Sequence, residues 1–255
     1  MELANPIKAK LRAGERVLGC FVPIPSPEIV EICALAGFDF VLLDAEHGPI
    51  SPESAYPMIL AAEARGVPTI ARIGQLDRQV ILKFLDIGIA GVMNPQVTTA
   101  EAAEEAIAAT RYAPRGNRGM AGGRMFDYGL GEPAADLAPQ LNERVLTLIQ
   151  CEHIDAVANL DAILRTPDLD VLFVGPNDLA QSMGYPGQPS HPEVTALVDQ
   201  QVIPLAKQHG VALGTVAPDG PAALTAFERG FDLVGGNAPG LLASAARTMV
   251  KTAHQ

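Results

Sequence analysis

The sequence predicts an α/β protein built as one (β/α)8 barrel, and three observations carry that prediction. The chain has 255 residues, close to the roughly 250 of a typical barrel of this type. Eight short, apolar, β-branched runs recur along its length, and stretches of helical character separate most of them. Near-continuous apolar strands alternating with helices imply a parallel sheet covered on both faces. With eight such units and no break in composition, a closed barrel is favoured over an open doubly wound sheet, and residues 1–255 are read as one domain.

The elements follow in order. "LGCFVP" (18–23) is the first strand, and "SPEIVEICALAG" (26–37) opens a helix with Ser-Pro and stops it with Gly, the expected start and stop signals. "FDFVLLDA" (38–45) is the second strand. "SPESAYPMILAAEARG" (51–66) repeats the Ser-Pro start, with Pro57 inside it predicting a kink or break. "TIARI" (69–73), the helix "DRQVILKFLDIG" (77–88), "GVMNPQ" (91–96) and the helix "TTAEAAEEAIAATR" (98–111) complete the first half. A long interruption (112–140), rich in Gly and Arg, exceeds an ordinary connection and reads as a functional loop or a mobile segment. The second half has "LTLIQCE" (146–152), the helix "HIDAVANLDAIL" (153–164), "VLFVGPND" (171–178), and "HPEVTALVDQQVIPLAKQHG" (191–210), a helix in which Pro204 predicts a second break. "ALGTVA" (212–217) and "LVGGNA" (233–238) close the barrel, and "APGLLASAARTMVKTAHQ" has the pattern of an amphipathic last helix.

Composition narrows the function. The formal charge is −11, from 29 acidic residues against 18 Lys and Arg, with no long basic run, which argues against a nucleic-acid partner. An anionic substrate would need local positive charge from an arginine or a metal. Cys20, Cys33 and Cys151 are widely spaced, with no zinc-ligand or CxxC pattern, and read as reduced thiols. There is no apolar signal core and no run long enough to span a bilayer, so a cytoplasmic protein without membrane attachment is expected.

Active sites of such barrels form at the C-terminal ends of the strands, and the unusual polar residues fall there. Asp44, Glu46 and His47 end the second strand, Arg72 the third, Gln150 and Glu152 the fifth, and Asn177 and Asp178 follow the sixth. Taken singly, each is equally a strand-end residue facing water, and "GPND" is equally a turn; convergence from four strands on one rim is what points to a site. Period-two alternation sets Gln150 and Glu152 on one side of their strand and Cys151 and His153 on the other. Glu152 and Asp178 suit a hard cation such as Mg2+ or Mn2+, which keeps water or substrate oxygens in its shell; a carboxylate pair held by hydrogen bonds is the alternative. Lys8 and Lys10 precede the first strand, Lys83 and Lys207 sit in helices and Lys251 is near the end, so no lysine is placed for imine chemistry. A metal, an arginine and a histidine together suit stabilisation of an enolate.

The stretches "FDFVLLDAEHGPIS", "ARIGQLDRQVILKFLDIGIAGVMNPQV", "RYAPRGNRG", "LTLIQCEHIDAVANLDAI" and "DVLFVGPNDLAQSMGYPGQPSHPEV" together resemble the HpcH/HpaI aldolase family, from about residue 17 to the last helix. The resemblance implies a barrel of the phosphoenolpyruvate/pyruvate-binding type and a metal-dependent aldolase that reversibly cleaves 4-hydroxy-2-oxo acids to pyruvate, or an analogue such as hydroxypyruvate, and an aldehyde. It implies Glu152 and Asp178 as ligands of a divalent metal (Mg2+ or Mn2+, with Co2+ a third candidate) and no organic cofactor. Arg72 would hold the keto oxygen, His47 would act as general base, and Asp86 would pair with that histidine from a neighbouring subunit. Gln150, Gly175, Pro176 and Asn177 would shape the pyruvate and metal pocket, and Asp44 and Glu46 would support metal-bound water. Arg118 matches the arginine of the family's "RG" pair, without a catalytic role. A homotrimer, or a homohexamer as a dimer of trimers, with the last helix exchanged between subunits, is implied too. Asn94, His153 and "GMAGGRMFDYG" depart from the family pattern and bear on the aldehyde partner. Two other functions stay open at this point, a citrate-lyase-like or malyl-CoA-lyase-like enzyme acting on a CoA thioester, and a non-catalytic keto-acid-binding barrel.

Overall fold

Alternation along each strand decides which side chains fill the barrel. In the computed structural model, which describes residues 4–254, eight parallel strands close in sequence order: β1 (Val17–Val22), β2 (Phe40–Asp44), β3 (Thr69–Arg72), β4 (Gly91–Asn94), β5 (Leu146–Cys151), β6 (Val171–Val174), β7 (Ala212–Val216) and β8 (Leu233–Asn237), with β8 pairing back onto β1. Phe40 and Leu42 of β2 and Leu146 and Leu148 of β5 join Phe21 and Phe173 in the barrel interior. Val41 and Leu43 face the outer helices instead, as do Ile149 and Cys151. Burying aliphatic and aromatic side chains on both faces is the main stabilisation of such a sheet.

Interior phenyl rings are admitted by glycines on neighbouring strands. A Cβ on Gly19 would come within 2.1 Å of the Phe40 ring, and one on Gly235 within 2.4 Å of Phe21. Neither overlap could be relieved in a close-packed core without moving a ring. From the opposite end of the barrel, Ile7 packs into the same interior cluster.

The helices are α1 (Pro6–Arg12), α2 (Pro27–Ala36), α3 (Pro52–Glu63), α4 (Arg78–Asp86), α5 (Ala100–Ala108), α6 (Ala134–Arg144), α7 (Ile154–Ala158), α8 (Leu160–Leu164), α9 (Pro176–Ser182), α10 (Pro192–Leu197), α11 (Ile203–His209), α12 (Gly220–Arg229) and α13 (Ala238–Ala253). Capping explains their starts: the side chains of Asn5, Ser26, Ser51, Asp77, Thr99 and Asp219 each accept from first-turn amides. Among the described residues no helix is long and apolar enough to cross a membrane.

Several expectations about the helices need correction. The sequence reading assigned nothing before residue 18, yet Asn5 and Pro6 start α1. Pro57 does not break α3, which runs through it with Ala55, Met58, Ile59 and Ala62 buried; one lost hydrogen bond is outweighed by that packing. Pro204 does disturb its segment, where a π turn (Val198–Val202) separates α10 from α11 and accommodates the missing N–H. The stretch 153–164 forms two helices that meet at Asn159. Residues 112–140 are an anchored loop: a 3-10 turn (Arg124–Gly129) and the start of α6 lie inside it, and Tyr112, Met125, Phe126 and Leu137 form its own small core.

Candidate active site

At the C-terminal end of β2 the inward face changes from apolar to charged, since Asp44 continues the alternation of Phe40 and Leu42. Its register partner on β3 is Arg72, and the two side chains meet as a bidentate pair, Nε to Oδ1 at 2.9 Å and Nη2 to Oδ2 at 2.6 Å. Asp44 Oδ1 also accepts from the amides of Glu46 and His47, each at 3.2 Å, which fixes the turn that carries both residues. Burial works against ionisation of Asp44, but the bonds and charge of Arg72 and those two amides more than offset it, so its carboxyl is held below the usual range. Arg72 also lies 3.3 Å from Glu46 Oε2 and 5.3 Å from the centroid of the Phe21 ring.

Glu152 follows β5 and is buried. Gln150 Nε2 donates to its Oε2 at 2.6 Å, and the Gln96 amide donates to its Oε1 at 2.7 Å. That amide is aimed by a left-handed backbone at Gln96, φ +53°, an unfavourable conformation for a non-glycine residue. Burial, with smaller contributions from Glu46 and Asp178, pushes the Glu152 carboxyl up to about 7, although Gln96 and Arg72 oppose the rise. Glu46 is raised as well, chiefly by burial. Asp178 lies in the first turn of α9. A Cβ on Gly175 would come within 2.9 Å of both Cβ and Oε2 of Glu152, so a glycine is needed where the β6–α9 turn meets this carboxylate.

These oxygens fit a hydrated divalent cation. Three carboxylates gather where Glu46 and Asp178 each raise Glu152, and two buried acceptors accept no hydrogen bond, Gln150 Oε1 and Glu46 Oε2, the latter having its ion pair with Arg72 at 3.3 Å. A bound cation would neutralise the first, and water in its shell would supply donors for the second. Among the described residues no cluster of three or more His, Cys, Asp or Glu is arranged to hold a metal. A pair of protein ligands that leaves other positions to water and substrate is the pattern expected of Mg2+.

Two cavities share this mouth. One, of about 830 Å3, runs past Arg72, Gln150, the Gly175–Asp178 turn and the ends of β7 and β8. The other, of about 600 Å3, runs from Glu46, Glu152 and Asp178 towards Gln96 and Gln181. The exposed His47 side chain lines both, so the imidazole stands where the two meet.

Asp86 is not part of this mouth within one chain. It ends α4 and accepts from Arg118 Nη2 at 2.9 Å; Arg118 is buried and lies 4.5 Å from the Tyr112 ring centroid. His153 differs from its expected position on the outer side of the strand. β5 ends at Cys151, so strand alternation no longer governs residue 153; His153 instead caps α7, and its imidazole lines the smaller cavity. Burial drives the Lys8 ammonium below its ordinary pKa. It sits at the other end of the barrel, bonded to the Val145 carbonyl at 3.2 Å and to Asp170 at 3.0 Å, out of reach of imine chemistry in the mouth.

Sequence reasoning missed Gln96, Phe21, Thr215, Val216 and Asn237, all of which contact or line the site. Asn94-Pro95 at the end of β4 was the available signal for an irregular turn at Gln96. The other four are ordinary residues whose role comes from position alone.

Comparisons with known proteins agree with this geometry. The family model HpcH/HpaI aldolase/citrate lyase matches residues 17–238. A hydroxypyruvate/pyruvate aldolase of Sagittula stellata is 37% identical over 231 residues, 90% of each chain. A 5-keto-4-deoxy-D-glucarate aldolase of Klebsiella pneumoniae is 37% identical over 217 residues, covering 84% of this chain and 82% of its own. The crystal structure of a HpcH/HpaI aldolase/citrate lyase family protein of Burkholderia cenocepacia superposes with a TM-score of 0.92 at 31% identity, covering 99% of this chain and 100% of that one. A parallel eight-stranded barrel with its charged residues gathered at one mouth, matched by family and by relatives over nearly its whole length, belongs to the HpcH/HpaI aldolase/citrate lyase family of carbon–carbon lyases.

Proposed function

We propose that this chain is a divalent-metal-dependent aldolase that reversibly cleaves 4-hydroxy-2-oxo acids to a pyruvate-type keto acid and an aldehyde. The observation that carries this is the convergence of Arg72, Gln150, Glu152, Asp178 and His47 on one barrel mouth. The names of the two aldolase relatives support the same reaction class.

In this mechanism Glu152 and Asp178 hold the cation, with Mg2+, Mn2+ and Co2+ as candidates. When bound, the cation supplies positive charge beside the keto oxygen and the substrate carboxylate. Arg72, kept rigid by Asp44, donates to the keto oxygen and meets the negative charge that develops there. Gln150 orients Glu152, while Gly175, Pro176 and Asn177 form the wall against which the keto acid lies. His47 takes the C4 hydroxyl proton as the C3–C4 bond breaks. The electron pair of that bond moves into the keto acid fragment as an enolate, the aldehyde leaves, and a proton returned to C3 gives the methyl group of pyruvate.

Asp86 completes the arrangement from a neighbouring subunit, holding that subunit's partner imidazole in one orientation. Support for an assembly comes from α13, which has no buried residue although Leu242, Met249 and Val250 are apolar and exposed. Exchange of this helix in a trimer, or in a dimer of trimers, would cover them.

The test is cleavage of a free 4-hydroxy-2-oxo acid, followed by release of pyruvate, beside cleavage of a CoA thioester such as malyl-CoA. Metal-dependent turnover of the free acid is expected. Turnover confined to the thioester would move the chain to the citrate-lyase branch, and binding without turnover of either would make it a keto-acid-binding barrel.

A further inference from the structure

With the keto acid placed between Arg72, Gln150 and the Gly175–Asp178 turn, the remaining part of the larger cavity's mouth is what an incoming aldehyde would meet. Its side chains are Asn177 after β6, Val216 at the end of β7 and Asn237 at the end of β8; Thr215 is turned to the outer side of β7 with its register partner Val234 and donates to the Val174 carbonyl at 3.3 Å. Asn177, Val216 and Asn237 are neutral, and the two asparagines offer amide groups for hydrogen bonding, with Asn237 Oδ1 also accepting from the Gly240 amide at 3.1 Å.

Positive charge is scarce in both cavities. Arg72 already faces Asp44 and Glu46. Arg229 also lines the larger cavity but lies at the last turn of α12, bonded to Asp199 at 2.7 Å and 5.6 Å from the centroid of Phe231, before the start of β8. The smaller cavity has no Lys or Arg among its described lining residues. Four carboxylates, Asp44, Glu46, Glu152 and Asp178, are therefore gathered about one arginine, Arg72, and the imidazole of His47, which lies 3.9 Å from Glu46, and a divalent cation together with the keto acid's own carboxylate would still leave the mouth negative. A second carboxylate on the aldehyde would enter this field with no further lysine or arginine among the described lining residues of the same chain free to receive it.

We infer that the acceptor subsite formed by Asn177, Val216 and Asn237 selects an uncharged hydroxyaldehyde over an aldehyde carrying a carboxylate. This rests on the aldolase reading above, and it separates this chain from an acceptor preference for acid aldehydes. Hydroxyls on the aldehyde match the neutral amide groups of the asparagines, whereas an acid group meets like charge.

Two aldehydes that differ in their terminal group test it: glyceraldehyde, which ends in a hydroxymethyl, and tartronate semialdehyde, which ends in a carboxylate. With pyruvate as donor and the metal-loaded protein, kcat/KM is expected to favour glyceraldehyde by roughly tenfold or more. Val216→Arg, at a partly exposed position of the subsite, is expected to shift the ratio of the two kcat/KM values by roughly tenfold towards the acid aldehyde. Equal or better use of tartronate semialdehyde by the unaltered chain, or an unshifted ratio in folded Val216→Arg, would overturn the inference. If deuterium exchange into pyruvate persisted in that case, the aldolase reading would stand; loss of both exchange and product formation would overturn the two together.

Discussion

Arg72 and Asp44 are register partners on adjacent strands, and both carboxylate oxygens of Asp44 are engaged by the Arg72 guanidinium. The arginine that would meet the substrate oxygen is therefore aimed by a buried partner, through a planar two-point contact that a lysine cannot reproduce.

Asp44→Asn should leave the barrel folded while loosening Arg72. A fall in kcat of about 10²-fold is expected, the scale of a misplaced catalytic group, and Arg72→Lys should lose at least as much. Steady-state kinetics with circular dichroism as the fold control checks this; full activity in Arg72→Lys would remove the arginine from the mechanism.

Glu152 sets a pH dependence of known sign. Burial holds its carboxyl at about 7, above the ordinary glutamate value of 4.5, so between those values the folded chain binds more protons than the unfolded one and this group's contribution to stability falls as pH rises. Ionised Glu152 is also the form that would bind the cation. Thermal melts should therefore show metal-induced stabilisation that is small near pH 5 and grows through pH 7. Stabilisation independent of pH over this range would contradict it.

Glu152→Gln removes the buried charge and keeps the shape. The metal-free variant should be at least as stable as the unaltered chain above pH 7, and its melting temperature should no longer respond to Mg2+ or Mn2+. A retained metal response would exclude Glu152 as a ligand.

Asp86 and His47 can be tested across subunits. If the dyad spans an interface, His47→Ala and Asp86→Ala chains, each nearly inactive alone, should regain activity when mixed and reassembled, because some mouths then contain both native residues. No recovery on mixing, in an assembly verified by light scattering, would confine the site to one chain.

Much of this fold can be read from the sequence because strand alternation and helix punctuation are local signals. "FDFVLLDA" shows both its inward and outward faces, and Ser26-Pro27 marks the start of its helix without knowledge of the rest of the chain. Arg72, Gln150 and Glu152 were accessible for the same reason, since a polar residue closing an apolar strand of a parallel barrel marks the mouth. Where tertiary packing overrides local preference, the sequence is silent: α3 passes through Pro57 because its buried face holds it. The pairing of Asp44 with Arg72 depends on inter-strand register, and the Gln96 amide reaches Glu152 only through a left-handed turn. Neither is a property of a single segment. His153 shows the limit from the other side, because strand alternation does not extend to a residue two positions past the end of β5.

The central claim is that the mouth stabilises the enolate of a pyruvate-type keto acid with the help of a divalent cation. Proton NMR of pyruvate in D2O tests it without any choice of aldehyde, by following the methyl signal with chelated protein and with protein given Mg2+ or Mn2+. Metal-dependent loss of that signal, faster than with metal alone and abolished in Arg72→Lys and Glu152→Gln, is the expected result. A methyl signal that persists in the metal-loaded protein would contradict the account.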